Sequence, residues 1–178
     1  TTPMVFSPNA QQLAVTTRRG DVQLFDTSSG TRTHRLQGHR QPIIALAFNL
    51  DGTLLATASQ DATVQVWTLP DGALLATTVA VEEDGFITLI PDGPYYRATP
   101  NALDAVAVVQ HQRAWPLNRW DGLLHRPDHI LAHLGLADDV QLTRARRLLE
   151  RRQVNQALDE EPNPTAWRVA PPSVSLGP

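Results

Sequence analysis

No cysteine occurs among the 178 residues, so disulfides, thiolate metal sites and a cysteine nucleophile are excluded within this chain. Lysine is also absent, and all 15 basic residues are arginine. No apolar run approaches the ~18 residues that a membrane-spanning helix requires. The sequence has no G-x-S-x-G element of a serine hydrolase and no glycine-rich phosphate loop. Neither sign of charge dominates: a net charge of −3 gives no general attraction to nucleic acid or to an anionic membrane surface. What remains is 42% hydrophobic and 19% charged, the composition of a soluble globular protein, with length for one domain or one domain and a linker. Arginine without lysine, beside many Ala, Leu and Pro, suggests GC-rich coding and a bacterial source.

The chain is organised around residues 38–68. This stretch opens on Gly38-His39 and closes on Trp67, which follows the alternating run Thr63-Val64-Gln65-Val66. Between them lie two β-like runs, 43–48 and 54–57, separated by the turn residues Asn49, Asp51 and Gly52. A shift of 42 positions superposes a second copy. Phe6 falls on Phe48, Leu13-Ala14 on Leu55-Ala56, Val22-Gln23 on Val64-Gln65, and Phe25 on Trp67. The spacing resembles that of WD40 repeats, whose period is about 40–45 residues and whose unit is a four-stranded propeller blade. Thr68 stands where that family usually has Asp; Asp26 supplies it in the first copy. The resemblance implies a mainly β fold over residues 1–81, a partial propeller of about two blades.

In WD40 blades a His, a Ser or Thr, an Asp and a Trp form a hydrogen-bonded chain. The resemblance places this tetrad at His39, Ser59 (or Thr57), Asp61 and Trp67. A buried indole needs an acceptor for its N–H, and an aspartate in a tight turn can orient an imidazole. His39 and Asp61 also have the chemistry of a general base and its orienter. Their repeat positions and the lack of a nucleophile motif favour the structural role. In the first copy Arg19 replaces Asp61, so that blade is expected to be held by packing alone. Propellers typically have four to eight blades, and two would expose strand edges. The sequence is therefore expected to be a fragment, truncated upstream.

The third repeat position begins with residues 73–81, which read as a strand, and the repeat pattern ends at Glu82-Glu83-Asp84-Gly85. Residues 82–136 read as a second segment. Strands are expected at 86–90 and at Tyr95-Tyr96, around Pro91-Asp92-Gly93, and again at 105–109. Short helices are expected at 118–124 and 129–134, with Pro127 in a first turn, Asp128 at a helix N-terminus and Gly135 as the stop. This segment resembles the region joining WD40 repeats to a caspase-like peptidase domain in bacterial multidomain proteins. The matching residues are 90–96, then Trp115-Pro116-Leu117 with Trp120, then His125-Arg126-Pro127-Asp128. Residues 137–178 read as a helical, Pro-rich linker, with a strand beginning at 172–176.

His125, His129 and His133 are spaced by four, a pattern that can align metal ligands on one helix face. Pro127 starts the helix after His125, and no H-E-x-x-H element is present, so no metal site and no cofactor is expected. Arg144, Arg146, Arg147, Arg151 and Arg152 make the final helix basic. Without aromatic side chains to stack bases they read as a solvated face, not a nucleic-acid site.

The expected function is a non-catalytic protein–protein interaction scaffold, located in the cytoplasm. Its partners would be other proteins or other domains of the same polypeptide. Candidate contact residues in the loops are Arg18, Arg19, Arg40, Gln41 and Gln60. The alternative is the regulatory part of a caspase-like cysteine peptidase polypeptide whose catalytic domain lies outside this chain. An enzymatic propeller would place carboxylates or histidines at matching positions of both repeats, and the sequence has none.

Overall fold

The computed structural model describes residues 2–81, 84–91, 93–110, 113–135 and 137–153. Glu82, Glu83, Asp92 and the strand expected at 172–176 lie outside the described residues. The chain divides into two compact units, residues 1–88 and 89–178.

The first unit is built from antiparallel strands. One sheet runs β1 (Met4–Phe6), β2 (Gln12–Thr16), β3 (Asp21–Asp26) and β4 (Arg32–Gln37), in chain order. A second runs β5 (Ile43–Phe48), β6 (Leu54–Ser59), β7 (Thr63–Thr68) and β8 (Leu74–Val81). β9 (Gly85–Leu89) lies beside β8, where the Thr78 and Thr88 hydroxyls meet at 2.9 Å. These strands follow from the pattern of side chains. Along β6 the burial alternates residue by residue, so each second side chain faces the core.

The repeat seen in the sequence is a repeat of register. Phe6 pairs with Leu13 and Leu13 with Phe25; 42 residues on, Phe48 pairs with Leu55 and Leu55 with Trp67. Even the irregularities correspond, with the outer pairing shifted between Leu24 and Phe25 in blade one and between Val66 and Trp67 in blade two. Residues 74–81, read from the sequence as opening a third repeat, close blade two on its outside instead. One apolar cluster joins the blades: Ala14, Val22, Leu24 and Leu36 from the first, Ile43, Leu55, Trp67 and Leu69 from the second.

The turns fix how closely the blades approach. Gly20, at φ +83°, ends the turn between β2 and β3, and a Cβ there would lie 2.7 Å from the Gln41 carbonyl oxygen. Only glycine satisfies both the left-handed backbone and the approach of the loop at 38–42.

The second unit carries β10 (Tyr96–Ala98), α1 (Pro100–Ala105), β11 (Ala107–Gln110), β12 (Arg113–Pro116), a 3-10 turn (Leu117–Trp120), α2 (Asp121–Leu124), α3 (Pro127–His133) and α4 (Asp139–Gln153). The strand expected at 105–109 begins only at Ala107, because Pro100 opens a short helix through Ala105. Proline at the first helical position supplies a helical φ and gives up an N–H that had no partner anyway. On α4, Leu149 is buried and Leu142 and Ala145 are half-buried, while Arg144, Arg146 and Arg147 are exposed. No described helix is long and apolar enough to cross a membrane.

Candidate functional site

The polar chain of blade two runs through four side chains. The Trp67 indole N–H donates to Thr57 Oγ1 at 3.1 Å. Thr57 Oγ1 lies 2.7 Å from His39 Nε2, and His39 Nδ1 lies 3.1 Å from Asp61 Oδ2. A carboxylate can only accept, so the imidazole proton belongs on Nδ1 and the Thr57 hydroxyl donates to Nε2. Every hydrogen in the chain then points from Trp67 toward Asp61.

The hydroxyl in this chain is that of Thr57, not Ser59. Trp67 pairs with Leu55 across the ladder, and Thr57 is the diagonal neighbour on the same face, within reach of the indole. Ser59 lies a further two residues along β6, at the end of the strand. There its hydroxyl donates to the Gln41 and Pro42 carbonyl oxygens, at 3.0 and 3.2 Å, and accepts the Asp61 backbone N–H. Ser59 thus fastens the loop at 38–42 to the turn at 60–62.

Asp61 is saturated. Its Oδ2 accepts the Arg40 backbone N–H at 2.9 Å, and its Oδ1 accepts the Thr63 N–H and hydroxyl at 3.0 and 2.5 Å. Partial burial works to raise its pKa, but the Thr63 hydroxyl, the Arg40 N–H and the nearby His39 outweigh it and hold the carboxyl below the usual carboxylate range. The His39 side chain is 1% exposed with both ring nitrogens engaged, so it cannot serve as a general base.

Two participants were not read from the sequence. Thr63, next to Asp61 on β7, reaches His39 Nδ1 at 3.0 Å as well as the carboxylate. Its place two residues after Asp61, as in an Asx turn, was the available signal. Gln65 is buried against Gly38, where an added Cβ would lie 2.5 Å from its Oε1 and 2.9 Å from Trp67 Cη2.

Blade one is not held by packing alone. Arg35 of β4 reaches across to Asp21 of β3, placing Nε and Nη2 at 3.0 and 2.5 Å from Oδ2. This pair stands at the end of the blade where blade two has its Asp61 cluster. The 42-residue shift puts Thr63 and Thr77 at the corresponding positions, so comparing the copies could not reveal it.

The candidate contact residues all lie at that end of the first unit. Arg18 and Arg19 form the tip of the turn between β2 and β3, Arg40 and Gln41 the loop before β5, and Gln60 the turn between β6 and β7; all five are exposed.

In the second unit, a buried cluster joins Tyr96, Asp121 and His125. His125 Nδ1 lies 2.8 Å from Asp121 Oδ1, its Nε2 accepts the Ala98 N–H at 3.4 Å, and its ring stacks on Tyr96 at 5.4 Å. Burial, with Asp121 alongside, pushes the Tyr96 hydroxyl far above its usual pKa. Arg126 holds the buried Asp128 carboxylate with two hydrogen bonds of 3.0 and 2.9 Å. His129 and His133 lie on α3, but His125 precedes that helix, so the three do not share one face. Among the described residues no three His, Cys, Asp or Glu side chains converge as metal ligands.

With this geometry established, comparison with known proteins identifies the repeat. Residues 30–68 match the family model described as "WD domain, G-beta repeat", and the mainly β fold is a partial propeller of this type. The chain is 44% identical over 71 residues to Autophagy-related protein 18 of Mycosarcoma maydis, covering 39% of this chain and 16% of that protein. It is 34% identical over 80 residues to COMPASS component SWD3 of Saccharomyces cerevisiae, covering 45% and 25%. It is 44% identical over 57 residues to WD repeat domain phosphoinositide-interacting protein 2 of Xenopus laevis, covering 32% and 13%. The chain thus spans a quarter or less of these relatives. A crystal structure of the Myceliophteria thermophila Cps50 (Swd1) beta-propeller domain aligns with TM-score 0.45 at 21% identity, covering 55% of this chain and 38% of that one. These relatives are fungal and vertebrate and lend nothing to the bacterial kinship or the peptidase association.

Proposed function

We propose that this chain is a non-catalytic interaction scaffold, and that a protein partner docks on the end of the first unit formed by residues 17–20, 38–42 and 60–62. The observation that carries this reading is the saturation of the His39–Asp61 pair. Both groups are fully engaged in fixing loops, which leaves them nothing to contribute to catalysis and makes the loops a rigid platform. Rigid loops lose little entropy on binding. The exposed side chains of the platform, Arg18, Arg19, Arg40, Gln41 and Gln60, are well supplied with donors, and arginine is enriched at protein interfaces. The yeast relative is named as a component of COMPASS, which agrees with a role in assembly.

The test is capture of partners by the full chain, followed by mass spectrometry, for wild type and for a Gln41→Ala/Gln60→Ala variant. Loss of a captured protein with unchanged circular dichroism supports the reading. A partner set unaffected by this variant and by substitution of the three arginines overturns it.

A further inference from the structure

We infer that a second copy of this chain docks on the open face of blade one, presenting the outer face of its own blade two. The contact repeats between molecules the one that joins the two blades within the chain. It uses strand faces and not the loop platform.

Side chains alternate across a strand, so each blade has two faces. Inside the chain, blade one gives Val5, Ala14, Val22, Leu24 and Leu36, and blade two receives them on Leu46, Phe48, Leu55 and Trp67. Counting back 42 positions from the receiving residues leads to Met4, Phe6, Leu13 and Phe25 on blade one. These share a face, since Phe6 pairs with Leu13 and Leu13 with Phe25, and Met4 lies two residues from Phe6. Met4 is 63% exposed and Phe6 57%; Leu13 and Phe25 are half-buried where Leu55 and Trp67 are buried. Blade one thus has a receiving face that receives nothing.

Counting forward 42 positions from the residues that blade one gives leads to Ala47, Ala56, Val64, Val66 and Thr78 on blade two. They also share a face: Ala47 pairs with Ala56, Ala56 with Val66, and Val64 with Thr78. In blade one Ala14, Val22, Leu24 and Leu36 are buried, but none of their counterparts is, and Val64 is 40% exposed. Blade two thus has a giving face that gives to nothing.

Neither face is made for water. The strands β5, β6, β7 and β8 contain no charged residue, although a solvated face of an antiparallel sheet is normally polar. An exposed apolar face of this kind marks an interaction site. What covers it follows from the contact already present. The surface that packs over the receiving face of blade two has its repeat equivalent on the outside of blade two itself, so each copy carries both halves of the interface. With no ion to desolvate on the giving face, the approach carries no charge penalty from that side.

Because the two faces differ, the contact is heterologous, and successive copies can add to one another. Val66 and Thr78 stand where Leu24 and Leu36 serve the internal contact, so less apolar area is buried and the association is reversible.

Sedimentation velocity of the full chain, over roughly 1 µM to 1 mM, should show a mass that rises with concentration and passes the dimer. Phe6→Glu spoils the receiving face and Val64→Glu the giving face. Each sets an unpaired carboxylate in the contact and should weaken self-association at least about tenfold. Each variant keeps one good face, so mixing the two should restore association that stops at the dimer. Val140→Glu, at an exposed apolar residue of α4, should assemble as wild type does. Circular dichroism checks folding, and Phe6→Gln or Val64→Gln gives the same readout should a glutamate variant not fold. Wild type that stays monomeric throughout overturns the proposal, as does undiminished self-association in either variant, the result expected of a symmetric contact between like faces. A mixture that stays monomeric, or an equal effect of Val140→Glu, overturns it too. Monomeric wild type with a captured protein lost in Phe6→Glu overturns it in favour of a foreign partner on that face.

Discussion

Blade one sets Val15 and Phe25 at the positions where blade two sets Thr57 and Trp67, in the same strand register. Both blades pair an aromatic residue with a leucine on the neighbouring strand, Phe25 half-buried and Trp67 buried, but only blade two gives that aromatic an N–H and a hydroxyl to receive it. Blade one closes its end with the Asp21–Arg35 ion pair, whose arginine is 44% exposed; blade two closes its end with a buried chain of hydrogen bonds. The difference shows how unequal these two solutions are. An ion pair whose guanidinium stays in contact with water, as Arg35 does over the buried Asp21, contributes on the order of 1 kcal/mol. A saturated buried network is costly to interrupt, because each orphaned group carries its full desolvation penalty.

Thr57→Val gives blade two the residue of blade one and should have the largest effect. It leaves Trp67 Nε1 and His39 Nε2 without a partner, and a loss of roughly 2–4 kcal/mol is expected from urea unfolding. A loss below about 1 kcal/mol would mean that the two blades are closed by packing alike. Next is Gly38→Ala, whose Cβ would press on Gln65 Oε1 and Trp67 Cη2; overpacking of this kind costs about 1–3 kcal/mol. Hydrogen exchange should locate the damage in β7 and spare β2 and β3.

Acid tests the Asp61 network of blade two directly. Because the Asp61 pKa is lowered in the folded state, its contribution is present above the unfolded value of about 3.9 and is lost as pH falls from there through the folded value. Wild type should therefore lose stability below about pH 4, and Asp61→Asn, already weaker at neutral pH, should lose less on acidification. The same slope in both proteins would place the acid sensitivity elsewhere.

The smallest effects lie in the turns, where the blades exchange residues. Ala62 is left-handed at φ +63° at the position matching Gly20, and Ala10 at φ +56° matches Gly52. Ala62→Gly and Ala10→Gly should each stabilise by about 0.5–1 kcal/mol through relief of an unfavourable backbone conformation. Destabilisation in either would show that the alanine methyl group packs usefully there.

Much of this architecture was present in the sequence. The alternation in residues 63–67, the turn residues between runs and the 42-residue offset were enough to define two blades in register. His39, Asp61 and Trp67 were identified by position within the repeat. The choice of Thr57 over Ser59 was not, since both occupy the same face of β6 and both are buried; what separates them is a diagonal reach across β7. Nor was the Asp21–Arg35 pair, which joins residues 14 apart on neighbouring strands in one blade only.

The sequence by itself determined the strands, their order within each blade and the identity of most of the buried polar chain. These depend on local periodicity and on a spacing that repeats along the chain, and both can be read one segment at a time. Only the tertiary structure decided which hydroxyl completes that chain, that Gly20 brings the Arg18–Arg19 turn against the Arg40 loop, and that Asp21 and Asp61 are both largely buried and engaged. The physical reason is that hydrogen bonds and charge exposure depend on distances of a few ångströms between residues far apart in sequence, and those distances exist only once the sheets have packed.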